Sequence, residues 1–333
     1  MRPRSAEQGE DDRRDDEAHA RCVAFARERA AGEVEGVFGP GSFAWERVRE
    51  PVTLVGGLSA VLLQMAHPGV CAGVSEHSTF NTDLIGRGRR TTAALYALVF
   101  GTLTDALRMS ARLHAMHRGV RGVVTEPGSS WTGRPYRAND QPLLAWVAAT
   151  TYQSCRGVFE RFVRPMERFE READYAEFKL SAALTGVLPE TLPETWEAFT
   201  RWYDRALDDP ALFVGPSARA VAESLRRQPP VTRTGVDLLM TTAFLPERWR
   251  RAFDLPWGAS EARRFELLVR AHELARRATP EGAAWSPAYH RAVVRVAASR
   301  GSEAPLRSRA AVGVADGAGR ILRRFAPGFT GAR

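Results

Sequence analysis

Residues 51 to 75, PVTLVGGLSAVLLQMAHPGVCAGVS, contain no Asp, Glu, Lys or Arg. On either side, apolar residues return every three or four positions, and alternation with period two is scarce. This pattern predicts an all-α chain. The stretch 52–66 reads as a helix that ends or bends at His67-Pro68, because a residue before proline is pushed out of the α region. A short second piece follows Pro68. NTDLIGRGRR reads as a loop with two glycines, opening a helix over about Arg89 to Phe100 that Gly101 ends. Thr102 then serves as N-cap, with Asp105 three residues on, for a helix running to about Arg121 and stopping at Gly122.

TEPGSSWTGRPYRAND is a loop by its Gly, Pro and Ser content. Asp140 caps the next helix, with Pro142 in its first turn, to about Arg164. Further helices are expected near 16–33, 168–186, 194–207, 216–226, 231–244, 260–277 and 286–299. Residues 1–15 read as a disordered tail, 16–300 as one all-α domain, and 301–333 as a basic C-terminal helix or tail.

An uncharged run of this length raises the question of a membrane span. Gln64, His67, Pro68 and the glycines at 56, 57, 69 and 73 favour a buried, broken central helix instead. The formal net charge of +8 invites nucleic acid as a partner. Against this, the basic residues are spread along the chain beside Asp and Glu, as in ERFEREAD, which is the pattern of solvated helix faces. No nucleic-acid partner is expected. Cys22, Cys71 and Cys155 form neither a disulfide framework nor a CxxC pair, as in a cytoplasmic protein with reduced thiols. Arg13-Arg14 lacks the apolar stretch of an export signal. The C-terminal segment around Arg320, Arg323 and Arg324 is a docked helix or a weak contact with an anionic membrane surface.

Candidate chemistry lies on the helix after Thr102. Projected at 100° per residue, His117 sits mid-stripe among Leu103, Ala106, Ser110 and Leu113, with His114 and Arg121 on the same face. Arg108, Arg112, Ala111, Ala115 and Arg118 fall on the far side. A lone histidine there is ordinarily a satisfied core residue. Three polar groups at spacings of three and four suit a metal or an anionic cofactor, since a neutral imidazole ligates iron or zinc and arginine pairs with carboxylates. A second cluster is Arg87, Arg89 and Arg90 before Thr91, where cations oppose a helix dipole and need another reason. His67 and His77 each have a structural alternative: capping the broken helix, or bonding a backbone carbonyl.

Three blocks, LLQMAHPGVCAGVSEHSTFNTDLIGRGRRT, VFGTLTDALRMSARLHAMHRGVRG and GRPYRANDQPLLAWVAAT, resemble the catalytic domain shared by bacterial rubber oxygenase (latex-clearing protein) and the fungal ER-bound mycophenolate-pathway oxygenase. The resemblance implies a globin-like helical fold holding haem b and its iron. It makes His117 the proximal ligand and metal residue, with Arg121 four residues later. Arg87, Arg90 and Thr91 match the distal motif, in which arginine replaces the family's lysine at position 90. A guanidinium stays protonated and does not ligate iron, so a lysine-closed haem is not expected. The family's distal glutamate has no clear counterpart; Glu76 is nearby. His114 matches a basic group before the proximal histidine, and His67 or His77 is placed as a distal group or sixth ligand. Arg87 and Arg121 are candidates for propionate pairing.

The implied activity is an oxygenase-like oxidoreductase using dioxygen and a small apolar substrate. AALYALVF and AVLLQM are its expected apolar walls, and the electron donor is unidentified. The alternatives are a non-haem metal enzyme built on His114, His117 and another histidine, and a non-catalytic haem carrier or sensor.

Overall fold

The computed structural model describes residues 6–78, 84–227 and 235–325. Helices dominate, and the only strands among the described residues form one short hairpin. In chain order they are α1 (Ala6–Glu28), α2 (Phe43–Val48), α3 (Gly56–Met65), α4 (Pro68–His77), α5 (Leu84–Phe100), α6 (Leu103–Arg118), β1 (Arg121–Val123), β2 (Pro135–Arg137), α7 (Gln141–Phe162) and α8 (Arg168–Leu184). There follow α9 (Trp196–Leu207), α10 (Pro216–Arg227), α11 (Val236–Ala243), α12 (Glu247–Ala252), α13 (Ala259–Ala278), α14 (Pro287–Ser299) and α15 (Leu306–Phe325). Part of the helix expected over 231–244 lies outside the described residues.

The uncharged run is the packing centre. It begins as a 3-10 turn over Pro51–Val55, continues as α3, and turns through 108° into α4. Among the described residues no single helix is long and apolar enough to cross a membrane. The polar groups of α3 bond to protein. Ser59 Oγ donates to the Thr241 carbonyl at 3.0 Å, and Gln64 Nε2 donates to Thr151 Oγ1 at 3.0 Å. The bend follows from Pro68, which sits at the first position of α4 and leaves His67 extended (φ −85°, ψ 117°).

α3 lies along α7 at backbone contact. A Cβ on Gly56 would fall 2.7 Å from the Ser154 carbonyl oxygen. Beyond α7, an aromatic core joins Tyr152, Tyr175, Phe178 and Phe199, with the Tyr152 and Phe178 rings stacked at 4.1 Å. Inside it, the buried pair Arg47–Asp174 is completed by Tyr152 Oη, which donates to Asp174 Oδ2 at 2.8 Å. A second core joins α2, α5, α6 and α14 around Trp45, Val99 and Phe100.

The α5–α6 turn carries the expected capping box. Asp105 N donates to Thr102 Oγ1 at 3.0 Å, and Thr102 N donates back to Asp105 Oδ2 at 3.3 Å. Such a short connection makes α5 and α6 antiparallel neighbours, so the start of α5 lies beside the end of α6.

Four expectations are corrected. Residues 6–15 are helical, because their carboxylates pair with cations of the main body. α5 begins at Leu84, so Arg87, Arg89 and Arg90 lie within its first two turns. α6 ends at Arg118 with Gly119 as C-cap, so Arg121 opens β1 instead of closing the helix. The loop after it contains β2, whose Tyr136 pairs with Gly122; strands of three residues are too short to show alternation.

Gly56→Ala is expected to lower stability by about 1–3 kcal/mol, since backbone on α7 must move to admit the methyl. Gly57→Ala meets nothing within 4 Å and gains up to about 1 kcal/mol of helix propensity. Denaturant titration of the pair checks this; equal effects would refute the close approach.

Candidate functional site

His117 lies in the last turn of α6, on the stripe that carries Ala106, Ser110 and Leu113. Ala106 and Ser110 are fully buried, while Arg108, Arg112, Ala111 and Ala115 on the far side are exposed. Part of the His117 ring reaches solvent, but Nδ1 is sealed and has no hydrogen-bond partner in the protein. Ser110 Oγ, two turns earlier on the stripe, is likewise sealed and unpartnered. Burial, helped by His114, holds the His117 imidazolium acid down at about 4, so the ring is neutral near pH 7. A buried polar atom left unpaired costs about 1–3 kcal/mol. Such a group points to a ligand or a specific chemical use.

Gly119 turns the chain out of the helix, and Val120 N donates to the His117 carbonyl at 2.9 Å. Arg121 bends back over the helix end, its Nη2 donating to the Arg118 carbonyl at 2.7 Å and to Asp12 Oδ1 at 2.6 Å. A cation there complements the exposed carbonyls. His114 is turned toward α1. Its Nε2 lies 2.9 Å from Asp16 Oδ1, and its ring stacks on His19 at 4.4 Å with planes 3° apart. Arg118 also pairs with Asp16.

His67, in the uncharged run, and His77, just beyond it, occupy opposite ends of α4, about 15 Å apart by helical rise. His67 is the N-cap, its Nδ1 accepting from Gly69 N at 3.2 Å, and its ring meets Trp131 edge-on at 4.7 Å. Burial holds it neutral, with its acid form down at about 4. This is the capping alternative for His67, and it sets that residue apart from the other candidates. His77 ends α4, exposed, with its ring 6.5 Å from Tyr136.

Beside His77, Glu76 Oε2 accepts a hydrogen bond from Tyr136 Oη at 2.7 Å. Burial first, and then the Glu76 carboxylate, push the Tyr136 phenol above its ordinary range. Gly122 lies under both groups. A Cβ there would sit 2.8 Å from Tyr136 Oη and 3.0 Å from Glu76 Oε2. α4 also packs on the residue three beyond His117: a Cβ on Gly73 would be 3.3 Å from Val120 Cγ1. Arg87 donates to Ser78 Oγ at the end of α4 and is half-buried; Arg90 and Thr91 are exposed one turn on.

The structure thus joins Glu76, His77 and Tyr136 to one another and Arg87 to Ser78 at the end of α4, with α4 packed on Val120 and Gly122 just beyond α6, while Arg121 is turned to Arg118 and Asp12. His67 stands elsewhere, and His114 turns outward to α1. The expected apolar walls are core: Leu62, Leu63, Leu98, Val99 and Phe100 are buried in packing. Among the described residues no three His, Cys, Asp or Glu side chains converge as a metal site would require. Sequence reasoning overlooked Tyr136 and the carboxylates of α1. The latter had a signal, since Asp11/Asp15 and Asp12/Asp16 repeat at helical spacing.

Fold and site define a helical protein in which the last turn of α6 carries an imidazole whose buried Nδ1 has no hydrogen-bond partner. Residues 45–277 match the family model for the ER-bound oxygenase mpaB/B′ and rubber oxygenase catalytic domain, and the chain belongs to this family. It is also 29% identical over 231 residues to the uncharacterized proteins Mb2261 of Mycobacterium bovis and Rv2237 of Mycobacterium tuberculosis. These alignments span 67% of this chain and 88% of each relative. No solved structure matches it.

His117→Leu is expected to leave the ligand-free protein as stable or about 1 kcal/mol more stable, because it removes an unpaired buried nitrogen. The native ring is a weaker base than the unfolded one, so the unfolded chain binds the extra proton. Stability is full above about pH 6.5 and falls as pH drops toward 4. His117→Leu should flatten this decline in urea melts at pH 7, 5.5 and 4.5. A leucine variant clearly less stable at pH 7 would mean that the histidine serves packing.

Proposed function

We propose that this protein is a haem b-dependent oxygenase-type oxidoreductase acting on an apolar substrate with dioxygen. The observation that carries the reading is the neutral imidazole of His117, whose Nδ1 is buried without a hydrogen-bond partner. A bound haem would take a nitrogen from the protein, which His117 would supply. One free imidazole with no converging donor set matches that requirement and does not match a non-haem metal site. His114, which the non-haem alternative requires, is held by Asp16 and His19. When bound, haem supplies the iron centre at which oxygen chemistry takes place.

The protein's own part follows from its residues. His117 offers a nitrogen that needs no deprotonation near neutral pH. Arg121 and Arg87 are the carboxylate-pairing groups. Arg90, always protonated, supplies charge to the distal side without competing as a ligand. Tyr136 Oη, donating to Glu76 Oε2, fixes the carboxylate available there for proton transfer, beside His77; Thr91 follows Arg90 on α5. The apolar substrate class rests on membership of a family that includes rubber oxygenase, since the expected apolar walls are spent in the core. A haem carrier with two histidine ligands would need His67 or His77 as the second. His67 Nδ1 is committed to the α4 cap, which leaves His77 as the second-ligand candidate for that alternative. A reducing compartment suits the cysteines: burial raises the thiols of Cys71 and Cys155 to about 11.

The test is the absorption spectrum of purified wild type and His117→Ala, oxidised and reduced, with a pyridine haemochrome assay. The expected result is b-type haem, or uptake of added haemin, that His117→Ala loses or alters. A colourless wild type that refuses haemin would overturn the reading.

A further inference from the structure

We propose that α1 is a displaceable anionic strap that occupies the carboxylate-binding arginines beside His117 until a cofactor carrying carboxylates takes them. The proposal rests on the haem reading above and concerns its regulation.

α1 lies wholly outside the family-matched span 45–277, yet its strongest polar contacts are with that span. Asp11, Asp12, Asp15 and Asp16 recur at helical spacing and form one acidic face. Their partners come from three elements. Asp16 meets His114 and Arg118 of α6, Asp12 meets Arg121 of β1 at 2.6 Å, and Asp11 meets Arg137 of β2 at 3.2 Å. Asp15 stands 3.7 Å from Arg137. The carboxylate of Asp12 therefore sits where a ligand's carboxylate would pair with Arg121. Gln8 and Asp12 form one side of a cleft of about 370 Å³ whose other side is Ala115, Arg118, Gly119 and Arg121.

The closed contact is imperfectly satisfied. His19 Nδ1 and Arg118 Nε are sealed without a hydrogen-bond partner. Asp16 and Arg118 remain partly exposed, so their attraction is screened by salt. A contact held by charge and leaving polar atoms unpaired is one that a better anion can replace.

The experiment compares haemin binding to the full-length wild type and to Asp12→Asn/Asp16→Asn, alongside hydrogen exchange over residues 8–20. The double variant is expected to bind haemin about fivefold to tenfold more tightly, because less of the protein is in the closed state. In the wild type, haemin is expected to speed exchange over 8–20. Equal or weaker binding by the variant, with exchange unchanged, would overturn the strap while leaving the haem reading intact. If neither form binds haemin, the haem reading fails and the strap with it. Should the variant not fold, wild-type exchange decides: faster with haemin supports the strap, unchanged or slower overturns it.

Discussion

The structure depends on burying the uncharged run 51–75 without leaving its polar atoms empty. A straight helix over that run would span about 38 Å. Pro68 breaks it instead, and the 108° turn folds both halves inside. The first half reaches α7 at backbone distance through Gly56. The second half, α4, is aimed across the β1–β2 hairpin, where Gly73 and Gly122 let Val120, Tyr136 and Glu76 close in. The site is assembled by this turn. Without it, α4 would not bring Glu76 and His77 to the end of α6.

The unpartnered Nδ1 of His117 has counterparts in His19 Nδ1, His272 Nδ1 and Trp146 Nε1, while other buried polar groups are fully satisfied. Glu50, fully buried, accepts from Trp285 Nε1 at 3.0 Å and pairs with Arg276. His290, also fully buried, lies 3.1 Å from Ser308 Oγ and 3.0 Å from the Gly282 carbonyl. Asp174 is shared by Arg47 and Tyr152. An unpaired buried nitrogen costs stability wherever it occurs, and under the haem reading proposed above the cost at His117 is one that a ligand would offset.

Much of the fold was legible in the sequence. Helices from α7 onward fall close to the expected spans, apart from α12, which was not expected; Thr195 and Ser286 accept capping hydrogen bonds, whereas Asp140 holds the N-cap position without one. The stripe of α6 and the capping box at Thr102 were equally readable. What escaped was set by tertiary pairing. Residues 6–15 have almost no apolar stripe, and their helix is held by ion pairs with groups a hundred residues away, which local pattern does not register. The β hairpin is specified by Gly122 fitting beneath Tyr136, a contact between residues fourteen apart. Arg121 was placed on the face of α6 by spacing alone. Gly119 ended the helix two residues sooner and redirected that side chain to Asp12.

His67 and His77 show how the same residue type serves different ends within ten positions. His67 precedes proline, is forced extended, and spends Nδ1 on the cap of the helix that proline begins. Its neutrality is structural: protonation would abolish the acceptor that caps α4. His77 ends that helix in the open, next to a carboxylate fixed by Tyr136 and one residue from the serine that receives Arg87. Burial alone would have favoured His67 as the functional group. What distinguishes a site from a core histidine is whether its nitrogens are already spent. By that criterion His67 belongs to the turn, while His117, with Nδ1 unspent, is the residue on which the proposed haem reading rests.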